Sequence, residues 1–230
     1  MRLRLASYNI QKAVGVDLRR DPTRVLEVIN SLDADVVALQ EADQRLGARP
    51  SALPRFLIEQ ETDFDVADLA ENDISLGWHG NAMLVRRGLS VTGTERIPLP
   101  GLEPRGAVRV DVGQGGDRLS VIGTHLGLLR RWRRRQARVL HDRLDEEEIG
   151  RTVILGDFNE WSRRAGLEPL GARFHLVAPG RTFHAARPVA ALDRAALGPG
   201  LRLLDAGVAE TPRARAASDH LPIWVDAADD

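Results

Sequence analysis

The sequence predicts an α/β protein in which two β-sheets pack together and helices lie outside them. Its two halves share the order strand, helix, strand, which is typical of a layered α/β fold. Residues 35–40 and 151–156 are predicted strands that contain the uninterrupted apolar runs 36–39 and 153–155, as expected of strands that are covered on both faces. The chain has 230 residues with no linker or low-complexity stretch, so we expect one domain over residues 1–230.

The first half is predicted to hold a strand over residues 2–10 and a helix over residues 21–32. Asp21 can cap that helix, and Pro22 suits its first turn, where a backbone N–H has no helical partner. A helix near 51–61 and strands near 80–86, 90–97, 106–112 and 118–124 are predicted next. Three glycines within residues 113–116 predict that the last two of these strands form a hairpin.

The second half is predicted to begin with a long helix over residues 130–148, which leads into the buried strand at 151–156. Short strands are predicted near residues 173–177, 190–195, 201–207 and 221–226. The segment 178–200 is rich in Pro, Ala, Arg and Gly, so loops are expected there.

Composition limits the function. The chain is 43% hydrophobic, and its formal net charge of -1 gives no global basic field to attract nucleic acid. Cysteine is absent, which excludes disulfides, thiol catalysis and thiolate metal sites. Residues 1–5 begin as an alternating strand without a long apolar segment, so no secretory signal is expected. The sequence contains no run of ~18 apolar residues, the length that a membrane-spanning helix needs. The expected location is the cytoplasm.

Polar clusters stand at the ends of four apolar, strand-like runs. The clusters are Glu41 after residues 36–40, His125 after 119–124, Gly156-Asp157-Phe158-Asn159 after 152–155, and Ser218-Asp219-His220 before 221–225. Carboxylates, an amide and imidazoles at strand ends suit the binding of a hard divalent cation and the transfer of a proton.

Two of the strand-end residues are candidates for a metal site. Asn9 could position a metal or a phosphate oxygen, or it could simply form a turn, as asparagine often does at strand ends. Glu41 could be a metal ligand or a solvated strand terminus, and the neighbouring clusters favour the ligand. Mg²⁺ is commonly held by only one or two carboxylates, so a single Glu suffices to anchor it.

Other strand-end residues are candidates for catalysis. His125 could donate to a phosphate oxygen or to the backbone. Asp157 and Asn159 point to the same side if their strand continues, where they could orient an attacking water and contact the phosphate; a common turn is the alternative. Asp193 could orient a histidine, as the third member of a triad does, or pair with an arginine. His220 could carry a proton.

Residues 130–138 contain six arginines, which could form a phosphate-facing patch or a solvated helix face. The predicted helix is basic at its start and acidic at its end, opposite to the preference of the helix dipole, so helix stability does not explain this order. Arg105, at the start of a predicted strand, is a second candidate for a phosphate contact.

The order of these motifs resembles that of the endonuclease/exonuclease/phosphatase superfamily, which includes pancreatic-type deoxyribonuclease, abasic-site endonucleases, inositol polyphosphate 5-phosphatases and sphingomyelinases. The motifs are Asn9, Gln40-Glu41, Gly80-Asn81-Ala82, Thr124-His125, Gly156-Asp157-Phe158-Asn159, Leu192-Asp193-Arg194 and Ser218-Asp219-His220. The resemblance implies an α/β four-layer sandwich of two mixed β-sheets packed face to face and flanked by helices, with a Mg²⁺ or Mn²⁺ site at one end.

The resemblance also implies roles for individual residues. The implied metal set is Glu41 as the main ligand, with Asn9 beside it and Asp219 near the metal. The implied catalytic set is His220, oriented by Asp193, with Asp157 and Asn159 as the water-orienting pair and His125 as a phosphate-stabilising donor. The implied phosphate-binding set is Arg105, Asn81 and His79. His79 could take the place of an active-site tyrosine found in several nucleases of the family, because Tyr8 should face away.

The predicted function is hydrolysis of phosphoester bonds by a metal-dependent phosphodiesterase or nuclease. Residues 130–138 favour a nucleic-acid substrate, whereas the near-neutral charge and the aromatic content of 4%, which makes a base-stacking platform doubtful, count against it. The alternative is a phosphatase or phosphodiesterase for a small or lipid-linked phosphate, with weak contact between residues 130–138 and anionic lipid heads. A further alternative is a non-catalytic binding module on the same fold.

Overall fold

Two six-stranded mixed β-sheets pack face to face with helices on their outer sides, which confirms the predicted α/β sandwich. The computed structural model describes residues 1–114, 117–162 and 165–230. The strands are β1 (Arg2–Asn9), β2 (Val36–Gln40), β3 (Phe64–Val66), β4 (Ala82–Arg86), β5 (Ser90–Leu99), β6 (Arg105–Gln114), β7 (Asp117–His125), β8 (Thr152–Asp157), β9 (His175–Val177), β10 (Asp193–Leu197), β11 (Leu201–Val208) and β12 (Ile223–Asp229). The helices are α1 (Pro22–Ser31), α2 (Arg55–Glu61), α3 (Arg130–Arg143), α4 (Glu146–Gly150), α5 (Glu168–Gly171) and α6 (Pro212–Ala217), with a 3-10 turn at Gln11–Ala13.

The strand order brings four strand ends to one end of the sandwich. The first sheet runs β11-β12-β1-β2-β4-β3, and the second runs β5-β6-β7-β8-β10-β9. β1 and β2 are parallel, as are β7 and β8, so the carboxyl ends of each pair lie together. Asn9 is paired in register with Gln40, and His125 with Asp157. The polar residues that follow the apolar runs therefore meet at one edge of each sheet.

Three apolar layers hold the sandwich together. The layer between the sheets contains Val36, Met83, Val110, Val121 and Leu155. A second layer packs α1, α2 and α6 against the first sheet, and a third packs α3 and α5 against the second. Burial of every residue of β2 and β8 explains their uninterrupted apolar runs at 36–39 and 153–155.

The helix predicted at 21–32 is confirmed as α1. The Asp21 carboxylate accepts a hydrogen bond from the Arg24 backbone N–H at 3.0 Å, and Pro22 occupies the first turn. The helix predicted at 51–61 begins only at Arg55, because the extended backbone of Pro54 precedes it.

The helix predicted at 130–148 is two helices. The backbone leaves the helical region at Leu144, and Asp145 then caps α4 by accepting the Glu148 N–H at 2.8 Å, while the Glu148 side chain bonds back to the Asp145 N–H. The acidic residues therefore stand at the start of α4, where they suit the helix dipole. The prediction of one long helix with basic residues at its start and acidic residues at its end was therefore wrong.

The remaining differences concern short elements. The strand predicted at 190–195 is β10, three residues later, and β3, α5 and α6 were not predicted. β6 and β7 pair antiparallel, with Gln114 opposite Asp117, as expected for the hairpin. Gly115 and Gly116 of its turn lie outside the described residues. No helix in the described ranges is both long and apolar enough to cross a membrane.

Candidate active site

A histidine and a carboxylate from opposite sheets form the centre of the site. Asp193 begins β10 in the second sheet, and His220 precedes β12 in the first. Nδ1 of His220 lies 2.8 Å from Oδ2 of Asp193, and both side chains are buried. The ring of Phe183 lies 5.1 Å from the imidazole, centroid to centroid, and its backbone forms a β-bridge with that of His220. His220 is therefore held on one edge by a carboxylate and on its side by an aromatic ring.

Asp157 connects three other predicted site residues. Its Oδ2 accepts a hydrogen bond from Nδ2 of Asn9 at 3.1 Å. The same oxygen lies 3.3 Å from Nε2 of His125 and 3.7 Å from Nε2 of His220. All four side chains are buried. A single carboxylate thus faces an amide and two imidazoles, a set that can hold a water molecule and transfer its proton.

Asn159 reaches the site in a different way from the one expected for a continuing strand. β8 ends at Asp157, and Asn159 has a left-handed backbone with φ 51°. Its backbone N–H donates to Oδ1 of Asp157 at 2.9 Å, and its side-chain amide donates to the Leu126 carbonyl at 2.9 Å. Asp157 and Asn159 therefore form a turn that fixes the Asp157 carboxylate, and their roles in orienting water and contacting phosphate stay predictions.

The surroundings shift the pKa values of the three buried titratable groups. Burial raises the pKa of Asp157 to about 6, although His220 opposes this rise. Burial alone would lower the pKa of His220, but the charges of Asp193 and Asp157 raise it to about 10. Burial and the nearby Arg105 charge hold the pKa of His125 well below its usual range. At neutral pH, His220 is therefore an imidazolium and His125 a neutral imidazole.

A cavity of about 230 Å³ opens beside this cluster and reaches it at His125. Its walls carry both charged and polar side chains. The lining residues are Lys12, Glu41, Asp43, Gln44, Arg45, Arg49, His79, Gly80, Glu103, Pro104, Arg105 and His125.

Glu41 is the lining carboxylate that lies between two cations. It follows β2 with a left-handed backbone, φ 52°. Its side chain forms ion pairs with the Lys12 ammonium and, at 3.1 Å, with Arg45. Burial alone would raise the pKa of Glu41, but Lys12 and then Arg45 hold it below its usual value. The Glu41 carboxylate is therefore ionised and faces positive charge.

Lys12 was not recognised from the sequence as a site residue. It belongs to the turn Gln11–Ala13, in which all three residues have positive φ values (46°, 57° and 60°), a conformation that is costly for residues other than glycine. The Lys12 backbone N–H donates to the Glu41 carbonyl at 3.1 Å. The one available signal was that Lys12 is the only lysine in a chain with 32 Lys and Arg residues.

The predicted phosphate-binding residues differ in their surroundings. Arg105 and His79 line the cavity; Arg105 pairs with Glu103 at 2.6 Å, and Nδ1 of His79 lies 2.7 Å from an Arg49 nitrogen. Asn81 is fully buried, and its amide donates to the Gly106 carbonyl at 3.1 Å, so it connects β4 to β6. A phosphate contact through Asn81 stays a prediction, as does the metal role of Asp219, whose backbone N–H donates to the Gln11 side chain.

The arginine run at 130–138 serves two purposes. Arg133 is only 4% exposed, and its guanidinium donates to the fully buried Glu160 carboxylate at 2.9 Å and to the Gly127 carbonyl at 3.1 Å. Arg130 pairs with the other Glu160 oxygen at 3.1 Å. The exposed remainder comprises Arg131, Arg134, Arg135 and Arg138. Neither a solvated helix face nor a phosphate-facing patch describes the whole run, because Arg133 is part of the structural framework.

The donor set suits a divalent metal in two places. Asp157, Asp193 and His220 have ligand atoms within 4.8 Å of one another, and Oδ1 of Asp193 is buried without a hydrogen-bond partner among the described residues. Glu41 offers an ionised carboxylate to the cavity and already attracts two cations. Oxygen ligands of this kind are those that Mg²⁺ prefers.

The sequence matches the model of one protein family over most of its length. Residues 6–220 match the model of the endonuclease/exonuclease/phosphatase family. The chain therefore belongs to the endonuclease/exonuclease/phosphatase family, whose members are phosphoester hydrolases. The resemblance seen in the order of the motifs is thereby confirmed. No curated protein sequence gives a significant match.

Solved structures share the fold at low sequence identity. An endonuclease/exonuclease/phosphatase protein from Beutenbergia cavernae is 22% identical with a TM-score of 0.74, over 99% of this chain and 72% of that one. D. rerio TDP2, complexed with single strand DNA product, is 19% identical with a TM-score of 0.74, over 99% of both chains. A mannosyl-6-phosphatase of Bacteroides thetaiotaomicron is 17% identical with a TM-score of 0.76, over 98% of this chain and 99% of that one.

Proposed function

We propose that the protein is a divalent-metal-dependent phosphodiesterase. The observation that carries the proposal is the position of His220. Its Nδ1 is hydrogen-bonded to Asp193, and its Nε2 lies 3.7 Å from Asp157. The two carboxylates keep the imidazole charged and fix its orientation. A charged imidazolium in a buried site is well placed to stabilise negative charge that develops on a phosphoryl oxygen.

Each buried residue then has a role in hydrolysis. Asp157, with a pKa raised to about 6, holds a water molecule and accepts its proton as that water attacks phosphorus. Asn159 fixes Asp157 through its N–H and keeps the carboxylate in place. His220 and neutral His125 donate hydrogen bonds to the non-bridging oxygens. The phosphoester bond breaks, the leaving oxygen takes up a proton from solvent water, and Asp157 then releases to solvent the proton that it accepted.

We propose that Glu41, with Asn9 beside it, holds Mg²⁺ or Mn²⁺. When bound, the metal supplies Lewis-acid stabilisation of the phosphoryl and leaving oxygens. The cluster of Asp157, Asp193 and His220 is the other candidate, but His220 would have to lose a proton to bind a metal there, whereas the charges of Asp193 and Asp157 raise its pKa to about 10. A protonated imidazole has no lone pair for a metal, which favours Glu41.

Two classes of substrate are candidates for this site. The structure of TDP2 with single strand DNA product and the exposed arginines of α3 support a nucleic acid. The mannosyl-6-phosphatase of the same fold supports a phosphomonoester as the second candidate. A cavity with Arg45, Arg49 and Arg105 in its walls could accept either kind of anionic substrate.

Hydrolysis of bis(p-nitrophenyl) phosphate and of p-nitrophenyl phosphate tests the proposal. Both are assayed with Mg²⁺, with Mn²⁺ and with EDTA, using the wild type and His220→Ala. Metal-dependent cleavage of the diester that His220→Ala abolishes supports a phosphodiesterase, whereas cleavage of the monoester alone supports the phosphatase. If neither chromogenic ester is cleaved, a panel of DNA, RNA, phospholipid and sugar phosphates is assayed next. If that panel also remains uncleaved, the protein is a binding module and the proposal fails.

A further inference from the structure

Three exposed leucines surround a shallow cleft beside the active site. Leu102 in the β5–β6 loop is 73% exposed, and Leu128 and Leu129, which precede α3, are 62% and 49% exposed. All three line the same cleft, together with the half-buried Trp132. Large apolar side chains clustered on a surface in this way indicate a contact site more often than single exposed leucines do.

The cleft adjoins the catalytic cavity. Glu103 and Arg105 line both depressions, so they form the wall between them. Leu128 also lies only three residues after His125, and the intervening Leu126 carbonyl accepts the Asn159 amide. Whatever covers the leucines would therefore lie at the mouth of the active site.

Arginines border the leucines on the first turns of α3. Arg131 and Arg135 are exposed, and their guanidinium carbons lie 5.8 Å and 4.9 Å from the centre of the Trp132 ring. Arg138 extends the exposed positive charge along the helix, whereas Arg134 pairs with Glu168 at 3.7 Å. Leucines that can enter the acyl region, beside arginines that remain at the level of the headgroups, are the pattern of an interfacial membrane contact.

We propose that this leucine–arginine surface, formed by Leu102, Leu128, Leu129, Arg131 and Arg135, docks on membranes that contain anionic lipid. A nucleic acid would use the arginines but not three leucines, and the Trp132 ring is half-buried with two guanidinium groups over it, which leaves little of it for a base. Docking would bring phosphodiesters at a lipid surface to the cavity mouth; that consequence rests on the proposed function, whereas docking itself does not.

Co-sedimentation with vesicles tests the docking. Vesicles of phosphatidylcholine alone and of phosphatidylcholine mixed with phosphatidylserine are pelleted with the protein in EDTA, so that binding is measured apart from metal-dependent turnover. We expect pelleting with the mixed vesicles only. The double variant Arg131→Gln, Arg135→Gln should lower the partition coefficient about fivefold for each arginine. The double variant Leu128→Ser, Leu129→Ser should lower it about tenfold for each leucine.

Leu18→Ser is the matched control, because Leu18 is 85% exposed in a different loop and should leave pelleting unchanged. Circular dichroism checks that each variant is folded, as expected for substitutions at exposed positions. Absence of pelleting with the mixed vesicles would overturn the proposal, as would pelleting that neither double variant reduces. Retention of a DNA oligonucleotide that depends on Arg131 and Arg135, without vesicle binding, would assign the surface to nucleic acid instead.

Discussion

Asp193 and His220 approach to 2.8 Å although they belong to different sheets. Asp193 starts β10 of the second sheet, and the strand that follows His220 is β12 of the first. The pair therefore forms only when the two sheets are packed in their final register. Catalytic geometry and the apolar layer between the sheets are coupled in this way, so a packing defect near β10 or β12 should be visible in catalysis.

Replacement of His220 is expected to remove most of the activity. Its imidazole lies between the two buried carboxylates, 2.8 Å from Asp193 and 3.7 Å from Asp157, and a positioned acid or base contributes roughly 10²–10⁴-fold to the rate. We expect His220→Ala to lower kcat by at least that factor in the diester assay. Exposed His175 on β9 provides the control His175→Ala, which should have normal kcat. Near-normal turnover of folded His220→Ala would contradict the assignment.

Replacement of Asp193 is expected to change the pH dependence of catalysis. Burial lowers the pKa of His220, and Asp193 and then Asp157 raise it to about 10. Loss of the Asp193 charge should lower this pKa, so the imidazolium is lost at a lower pH. In Asp193→Asn, the alkaline limb of the kcat/KM profile should therefore move toward neutral pH.

The control for this pH profile is a second Asp–His pair. Nδ1 of His141 lies 2.7 Å from the exposed Asp142, far from the catalytic cluster in sequence. Asp142→Asn should leave the profile unchanged. An alkaline limb in Asp193→Asn that coincides with that of the wild type would mean that Asp193 does not set the charge of His220.

Replacement of Glu41 is expected to weaken metal binding. The Glu41 carboxylate is the ionised acid that pairs with Lys12 and Arg45 in the cavity wall. We expect Glu41→Gln to weaken Mn²⁺ binding at least tenfold by isothermal titration calorimetry, a loss of about 1.4 kcal/mol. Glu103→Gln, in the same wall, is the control. Unchanged affinity in Glu41→Gln, with affinity lost in Asp157→Asn, would place the metal at the buried cluster.

Replacement of Arg133 is expected to destabilise the fold. Its guanidinium neutralises the buried Glu160 and donates to the Gly127 carbonyl. Arg133→Gln leaves Glu160 with the exposed Arg130 and the Ser162 backbone N–H, and breaking a buried pair costs about 3–5 kcal/mol of unfolding free energy. Urea denaturation measures the change. Arg138→Gln, exposed on the same helix, should change stability by less than about 0.5 kcal/mol, and equal stability of the two variants would refute the structural role.

The sequence allowed the layers and the strand ends to be predicted because both depend on local patterns. The apolar runs of β2, β7 and β8 mark buried strands, and the polar residue after each run marks its end. Parallel pairing places the ends of β1 and β2 together and those of β7 and β8 together, and the packing of the two sheets then brings Glu41 and His125 to one cavity. Short elements such as β3 have too few residues to show a period, and they were missed.

Contacts between distant parts of the chain could not be predicted from these patterns. Arg133 lies on the helix face that also carries Ala137 and Leu140, but its partner Glu160 is 27 residues away in the sequence, so the buried ion pair could not be predicted. Phe183 contacts His220 across a loop for which the sequence predicted no structure. Lys12 depends on a strained turn that no propensity indicates.

The ion pair between Lys12 and Glu41 also places a single site for chemical modification in the cavity wall. Lys12 is the only lysine in the chain, so apart from the α-amino group it is the only primary amine that an acylating reagent can modify. Because that amine lies against Glu41 in the cavity wall, the rate of its acylation reports on whatever occupies the cavity. Mass spectrometry of one modified peptide could therefore follow occupancy of the active site without a chromogenic substrate.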